Sequence, residues 1–143
     1  MAVTAKVYGP LLNSMANKEV DLNTDTIKVM LCTSSYTPNQ DTHQYKSSVT
    51  NEVAATGNYT TGGATVANPT FSYDTATNTW KFDGDDVTWA SSTITARYAV
   101  FYDDTATNDP LICYWDFGAD QSSSSGNFTL SFSASGLVTA VVA

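Results

Sequence analysis

The chain has 143 residues and a formal net charge of −8, from fourteen acidic and six basic side chains. Binding to nucleic acid or to an anionic membrane surface depends on clustered basic residues, and the six present here are scattered, so we expect neither as a partner. Charged residues make up only 14% of the chain, whereas an ordinary soluble domain has roughly 25%, so Thr, Ser and Asn must supply most of the polar surface.

A chain of this length has room for one domain, residues 1–143, that buries roughly 68–70% of its unfolded surface. The first twenty residues lack the continuous apolar run of a secretory signal, and no segment approaches the roughly 20 apolar residues of a membrane span. We therefore expect synthesis in the cytoplasm without a signal or an anchor. Cys32 and Cys113 lie in predicted strands and are interpreted as small buried side chains, while a disulfide between them stays open.

The N-terminal part of the chain predicts a short helix near residues 10–18. Pro10 suits the first position of a helix, and the apolar residues after it recur at helical spacing. These residues are Leu11, Leu12, Met15 and Ala16. We expect the stripe to cap one end of the β-structure, and the alternative is that Leu11 and Leu12 dock a partner.

The connection from about residue 33 to 63, which follows a strand expected over residues 25–32, is the least regular part of the sequence. A connection this long inside a compact domain is typically functional or partly helical, and we expect a short helix around residues 45–53. Three of its tyrosines are candidate partner contacts, because Tyr on loops supplies rigid contact area at a low entropy cost; the alternative is that they pack onto their own sheet. The three are Tyr36, Tyr45 and Tyr59.

Short strands dominate from residue 64 onward. They are predicted over residues 65–67, 70–73, 79–83, 87–89, 93–102, 111–117, 127–133 and 137–142. The string DTATN occurs at residues 74–78 and again at 104–108, each time between two of these strands, and Asp and Asn bond their own backbone in tight turns. The sequence therefore predicts an all-β fold: an antiparallel β-sandwich (jelly-roll or Ig-like) or a barrel of about seven to nine strands, with one or two short helices in the N-terminal half.

The strands over residues 93–102 and 111–117 carry bulky residues on both faces, so we expect them to be central in a sheet. With regular alternation, one face of the first strand consists of Ile94, Ala96, Tyr98, Val100 and Tyr102. One face of the second consists of Leu111, Cys113, Trp115 and Phe117. Most aromatic residues of the chain fall at strand positions and are interpreted as core.

Side chains suited to catalysis are few. His43 is the only histidine and is interpreted as an exposed loop residue. The sequence has no phosphate-binding glycine loop, no Cys-x-x-Cys pair and no zinc-protease motif. Because only two glutamates are present, Glu19 and Glu52, and the aspartates fall mostly in turns, we expect no enzymatic activity and assign no catalytic residue and no cofactor.

Asp83, Asp85 and Asp86 around Gly84 form the best candidate for a metal site, because Ca²⁺ favours closely spaced carboxylates with a glycine at the bend. The cluster lacks the other ligand positions of an EF-hand loop, so we interpret it as a turn whose Asp oxygens accept hydrogen bonds from backbone amides. The same interpretation applies to Asp103, Asp104 and Asp109. No metal is assigned, and calcium binding at residues 83–86 stays open.

Two segments carry the most specific pattern of the sequence, DTIKVMLCTSSYTPNQDTH at residues 25–43 and ITARYAV at residues 94–100. Together with the sequence around them, from about residue 2 to 142, they resemble a small protein recurrent in the structural-gene regions of tailed bacteriophages. The resemblance implies a virion protein, either a capsid decoration (cement) protein on the outer head surface or a tail or baseplate component that contacts other tail proteins or host glycan. It also implies the major capsid protein as partner and a homo-oligomer such as a trimer, and it brings no catalytic residues.

Overall fold

A computed structural model of the chain describes residues 3–142 and shows, within that range, ten β-strands and very little helix. The strands are β1 (Thr4–Val7), β2 (Ile27–Cys32), β3 (Ala64–Thr65), β4 (Thr70–Asp74), β5 (Thr79–Asp83), β6 (Val87–Ser92), β7 (Thr95–Asp103), β8 (Leu111–Ser122), β9 (Gly126–Leu130) and β10 (Val138–Val141). Helical structure in the same range consists of α1 (Leu11–Ala16) and a single 3₁₀ turn, Lys46–Ser48. The predicted all-β class is confirmed.

The strands form three sheets in which every pairing is antiparallel. The largest sheet has the order β1-β8-β7-β2-β3, the second has the order β10-β5-β4, and the third consists of β6 and β9. Strands β7 and β8 lie inside the largest sheet, as their two-sided apolar pattern predicts. This arrangement is sandwich-like, because the two smaller sheets contribute to the same core as one face of the large sheet.

Both DTATN strings form the turns of antiparallel hairpins, as predicted. In the first, Asp74 pairs with Thr79 across β4 and β5, and its Oδ1 accepts a hydrogen bond from the Ala76 amide at 2.8 Å. Asn78 closes this turn at φ 51°, a left-handed conformation that Asn tolerates better than most residues. In the second hairpin the residue that caps the turn is Asp103, one position before the string, whose Oδ1 accepts from the Thr105 amide at 2.8 Å.

The main core lies on one face of the large sheet and draws on residues from Leu11 to Leu137. Strand β2 contributes Ile27, Val29 and Leu31 to it, all fully buried. The smaller sheets contribute side chains from their inward faces, which include Phe82, Val87, Trp89, Phe128 and Leu130. Residues from nearly the whole described length therefore share one core.

A second cluster of buried side chains, which we call the outer core, covers the opposite face of the large sheet. Its members are Tyr8, Met30, Cys32, Tyr36, Val100, Tyr102, Leu111 and Tyr114. Tyr36 comes from the long connection, which lies across this face and bridges to the sheet where Cys32 pairs with Glu52. The large sheet is therefore buried on both sides.

The regular alternation expected along β7 is wrong at its N-terminal end. The pairing of β7 with β8 shifts register between Ala96 and Tyr98. Ile94 and Ala96 therefore lie in the main core, while Tyr98 packs against the outer core. A register irregularity moves every following side chain to the other face, and no residue type in this segment marks it.

The same correction applies to β8. A second register shift lies between Phe101 and Tyr102, which pair with Cys113 and Leu111. Leu111 therefore belongs to the outer core and Cys113 to the main core, so the expectation that they share a face is wrong. Ile112 is the extra residue of this bulge, because it lies between Leu111 and Cys113 and has no paired residue on β7.

The sequence predicts the short helices and strands only in part. The helix predicted near residues 10–18 is confirmed as α1, whereas the helix expected around residues 45–53 is wrong beyond one 3₁₀ turn, because Val49 is already extended at φ −87° and ψ 130°. The sequence does not predict β1, because four residues carry too short a pattern. Its antiparallel pairing with β8 holds this segment as a strand. None of the helices among residues 3–142 is long and apolar enough to cross a lipid bilayer.

Cys32 and Cys113 are free thiols and both are buried, as the sequence interpretation has it. They lie in different clusters, Cys32 in the outer core and Cys113 in the main core. The large sheet therefore stands between the two side chains. Burial raises the pKa of the Cys32 thiol to about 12 and also raises the pKa of Cys113.

Candidate functional site

Tyr36, a predicted partner contact, is buried instead in the outer core. Its hydroxyl lies 3.0 Å from the hydroxyl of Tyr8 and 3.0 Å from Nδ1 of His43. Its ring meets the ring of Tyr98 edge-on at 5.8 Å. The prediction of a partner contact is wrong for Tyr36, and burial raises its pKa to about 12.

His43 is half-buried and stacks on Tyr36, with ring centroids 5.9 Å apart. Its Nδ1 accepts from the backbone N–H of Asn39 at 3.4 Å and faces the Tyr36 hydroxyl, which assigns Nδ1 as an acceptor for both and the ring proton to Nε2. The Tyr36 hydroxyl then donates to His43 and accepts from Tyr8. The interpretation of His43 as an exposed loop residue is wrong, and burial lowers its pKa.

Tyr59 is also buried and fastens the end of the long connection to β2. Its hydroxyl accepts from the Leu31 amide at 3.0 Å and donates to Glu52 Oε1 at 2.9 Å. Its ring packs against Trp89 in the main core, with centroids 5.4 Å apart. The predicted partner contact is therefore wrong for Tyr59, and packing onto the protein's own sheet, the alternative, holds for both Tyr36 and Tyr59.

The other three predicted contacts divide between interior and surface. Leu11 is buried in the main core, so its role is to cap the β-structure and the prediction of a partner contact is wrong for it. Leu12, one position later on α1, is 72% exposed. Tyr45 is half-buried and donates its hydroxyl to Glu19 at 3.2 Å. Leu12 and Tyr45 stay predictions.

Two exposed aromatic side chains lie together on the second sheet, at strand positions that the sequence predicts as core. We call the three side chains Phe71, Tyr73 and Trp80 the aromatic ledge. Tyr73 is 39% exposed and Trp80 is 38% exposed, while Phe71 is half-buried. Trp80 stacks on Phe71 with centroids 4.9 Å apart and planes 12° apart, and its centroid lies 4.9 Å from that of Tyr73.

Strand register explains why the ledge projects past the core. Tyr73 pairs with Trp80, and Phe71 pairs with Phe82 two residues farther from the turn. All four side chains share one face because residues two apart on a strand point the same way. Phe82 is buried in the main core, whereas Trp80 and Tyr73 lie closer to the DTATN turn, where the sheet extends beyond the core.

The ledge is held in one geometry by its own hairpin. The Tyr73 hydroxyl donates to Asn78 Oδ1 at 3.1 Å. Beside Phe71 a depression of about 390 Å³ continues toward the segment after α1, lined by Met15, Val20 and Leu22 among others. The sequence signal for this surface is the pair of aromatic x-aromatic strings, Phe71–Tyr73 and Trp80–Phe82, on both sides of one turn.

The three carboxylates of residues 83–86 do not converge on one point. Asp83 Oδ1 accepts from the Gly84 amide at 2.9 Å, Asp85 Oδ2 accepts from Asn68 Nδ2 at 2.6 Å, and Asp86 Oδ1 accepts from the Phe132 amide at 2.7 Å. Each carboxylate thus has its own donor. Among residues 3–142 no three or more His, Cys, Asp or Glu side chains gather as ligands for one metal ion.

The structure brings Asp25 and Asp103 together as an acidic pair that the sequence does not predict. Asp103 is fully buried at the end of β7, and burial together with the neighbouring Asp25 carboxyl raises the pKa of Asp103. Its turn-capping role is as interpreted, since Oδ1 accepts from the Thr105 and Ala106 amides. The pair forms because Asp103 is opposite Ile27 in the β2–β7 register, two residues after Asp25.

Fold and site together define an all-β, sandwich-like protein with an aromatic ledge on one small sheet and a loop-covered second core. Compared with protein-family models, curated proteins and solved structures, the chain finds no match.

Proposed function

We propose that this chain is a structural protein of a tailed-bacteriophage virion, a decoration protein on the outer surface of the head. Its partner is the major capsid protein, and it acts as a homo-oligomer. The resemblance of residues 25–43 and 94–100 supports the class. The first segment contains β2 and the second contains the first six residues of β7. These two strands are neighbours in the large sheet, so the resemblance concerns the framework of the fold.

The observation that carries the proposal is the aromatic ledge. Interfaces between proteins are enriched in Tyr, Trp and Phe, and a few such side chains dominate their binding energy. Trp80 and Tyr73 are exposed yet held by ring stacking and by the bond of Tyr73 to Asn78. A preordered aromatic surface loses little side-chain entropy on binding, which suits a protein that acts by contact.

The long connection does not act as a free arm in this proposal. Tyr36 and Tyr59 fix it onto the large sheet, so the exposed contacts come from the second sheet and from Leu12 on α1. The protein then binds as a rigid body, with the ledge facing the capsid shell.

Immunogold labelling of purified virions with an antibody against this chain tests the assignment. We expect label over the whole head surface, in a symmetric pattern. Label confined to tails contradicts the decoration role. A second measurement uses heads assembled without the protein: added wild-type chain should bind them, and Trp80→Ala should bind at least about tenfold more weakly, as for loss of an interface hot spot.

One observation favours a second candidate, a tail or baseplate protein that binds host glycan. Trp80 is 38% exposed and is held by stacking on Phe71, with ring planes 12° apart. An exposed aromatic ring held in this way is a surface on which the C–H face of a pyranose ring can pack. A glycan array probed with wild-type protein and with Trp80→Ala tests it, and equal signals from the two proteins contradict it.

A further inference from the structure

Strand β10 leaves one edge of the second sheet open. It is the first strand in the order β10-β5-β4, so among residues 3–142 it has a neighbouring strand only on the side of β5. The Val142 amide donates to the Asn78 carbonyl at 2.8 Å, and the direction of these bonds alternates along an antiparallel strand. The backbone groups of Ala140 therefore face β5, while those of Thr139 and Val141 point away from the sheet.

The open edge of β10 lacks the features that usually prevent two edge strands from pairing. Such features are a charged side chain, a proline or a bulge on the edge strand. Strand β1, at the edge of the large sheet, carries Lys6, and β4, at the other edge of the second sheet, ends on Asp74. Residues 137–142, in contrast, contain neither a charge nor a proline, and the register of β10 with β5 is regular. Val141 on this strand is 72% exposed.

A second copy of this chain fits the open edge by its register. Thr139 can exchange two hydrogen bonds with Val141 of the second copy, and Val141 can do the same with Thr139 of that copy. Every outward backbone group of β10 is then paired, whereas a shift of the register in either direction leaves one of these two residues opposite a position outside β10.

The residue at the centre of this register suits the contact. Ala140 lies opposite Ala140 of the second copy, in a pair of the type without hydrogen bonds, in which the Cα atoms are roughly 4.5 Å apart. The smallest side chain of β10 therefore lies where the two strands come closest. The contact also brings no acidic side chain of β10 to the interface, which matters for two copies that each carry a net charge of −8 and repel each other.

We propose that β10 pairs with β10 of a second copy and joins the two second sheets into one six-stranded sheet. The inference rests on the homo-oligomer of the proposed function and names its interface. A two-fold contact of this kind uses the open edge of both copies and closes at two. The result is a dimer, not the trimer that the resemblance implies.

The dimer places both aromatic ledges on one face of the joined sheet. Ala140 pairs with Trp80, which in turn pairs with Tyr73, and residues that are directly opposite each other share a face. The two Trp80 residues are then separated by three strand spacings, about 14 Å. A dimer therefore presents two ledges to the same partner, and the second contact strengthens the first without any new type of interaction.

Sedimentation velocity of the purified full chain, at constant ionic strength, tests for self-association. Concentrations from about 10 µM to about 1 mM cover the affinities expected of a small interface. We expect a reversible equilibrium between monomer and dimer. A chain that stays monomeric over this range overturns the proposal and leaves the edge of β10 to a strand of another protein, and a trimer overturns it as well.

A charge swap at Ala140 tests whether β10 forms the contact. Ala140 is exposed, so its variants should fold, which circular dichroism checks. Ala140→Glu places like charges directly opposite each other and should lower the association constant at least about fivefold, and Ala140→Lys should do the same. An equimolar mixture of the two variants should regain association, because the opposed charges then attract. The matched control is Ala55→Glu, at an exposed alanine of the long connection, and it should associate as wild type does.

Two results of the swap would overturn the proposal: wild-type association of Ala140→Glu alone, or a mixture as weak as either variant. Amide exchange gives a second check. At high concentration the Thr139 and Val141 amides should become protected, while the Ala140 amide should be protected at every concentration because it faces β5. The decoration role is judged separately, since a monomeric protein that labels heads overturns only the dimer and a dimer confined to tails overturns only the decoration role.

Discussion

Tyr73 and Trp80 pair directly across β4 and β5, with ring centroids 4.9 Å apart, and both remain more than a third exposed. Cross-strand aromatic pairs stabilise antiparallel sheets, but this pair leaves much of its apolar area in water. Large exposed aromatic patches on a folded protein mark interaction sites more often than chance positions do. The ledge is therefore the surface on which a substitution separates binding from folding.

Trp80→Ala should weaken binding while leaving the protein folded. Because Trp80 is 38% exposed, its removal should lower the free energy of unfolding by only about 1 to 2 kcal/mol. Binding to heads that lack the protein should fall at least about tenfold. Urea unfolding and a co-sedimentation assay measure the two quantities. Thr88→Ala on β6, which removes only an exposed bond to Thr129, is the control and should leave binding unchanged.

Tyr59→Phe should destabilise the protein by about 1–3 kcal/mol. The change keeps the ring but deletes the hydroxyl that the Leu31 amide and Glu52 both use, and it leaves a buried donor and a carboxylate without that partner. Equilibrium urea unfolding gives the difference. Tyr45→Phe is the matched control, because its hydroxyl bonds Glu19 at a more exposed position, and it should destabilise the protein less than Tyr59→Phe does. Equal losses in the two variants would contradict the anchoring role of Tyr59.

Acidification should weaken the fold through His43. Burial lowers its pKa in the folded protein below the unfolded value of about 6.5, so its neutral form is favoured by folding. The unfolded chain then binds a proton first, and this contribution to stability is complete above about pH 6.5 and is lost as pH falls from there toward the lowered folded pKa. Protonation of Nδ1 also removes its two hydrogen bonds.

Urea midpoints at pH 7.5 and pH 5.5, for wild type and for His43→Gln, isolate this contribution. The raised pKa of Asp103 acts in the opposite direction, so the informative quantity is the difference between the two proteins at each pH. We expect wild type to lose more stability than His43→Gln on acidification. A difference that does not change with pH would show that His43 has the same pKa in the folded and unfolded states, and would contradict the prediction.

Gly63→Ala should cost at least about 2 kcal/mol of unfolding free energy. Gly63 adopts φ +77°, and a Cβ there would collide with the Val29 carbonyl on β2. Gly126→Ala is the control, since a Cβ at Gly126 would meet its nearest heavy atom, the Ser124 carbonyl oxygen, at an ordinary 3.6 Å. Thermal unfolding of the two variants compares them, and a Gly63→Ala protein as stable as Gly126→Ala would mean that the connection can move away from β2.

Local rules were enough to predict most strands of this protein. The strand at residues 79–83 and the two DTATN turns follow from alternation and from the turn chemistry of Asp and Asn. These signals lie within a few residues of the structure they determine. The same holds for α1, where Pro10 and the spacing of its apolar residues were sufficient.

What sequence reasoning missed depends on contacts between distant residues. The Asp25–Asp103 pair arises from the register of β2 against β7, which no local pattern encodes. Tyr36 and Tyr59 lie in a polar, irregular segment that resembles an exposed loop. Tyr36 nevertheless bonds Tyr8, which directly follows β1, and Tyr59 bonds Leu31 on β2. Trp80 lies at a strand position that the sequence predicts as core. It is exposed because the second sheet extends beyond the main core.

The long connection, residues 33–63, covers one face of the large sheet, and its anchors determine which part of the protein opens first. Its anchors are the Tyr59 hydroxyl on Leu31 and the bridge between Cys32 and Glu52, and both need β2 to be already in place. The segment can therefore detach while the sheet beneath stays closed, a sub-global opening in which its amides exchange with deuterium ahead of those of β7. A protein built this way keeps its rigid frame while the segment on one face opens and closes.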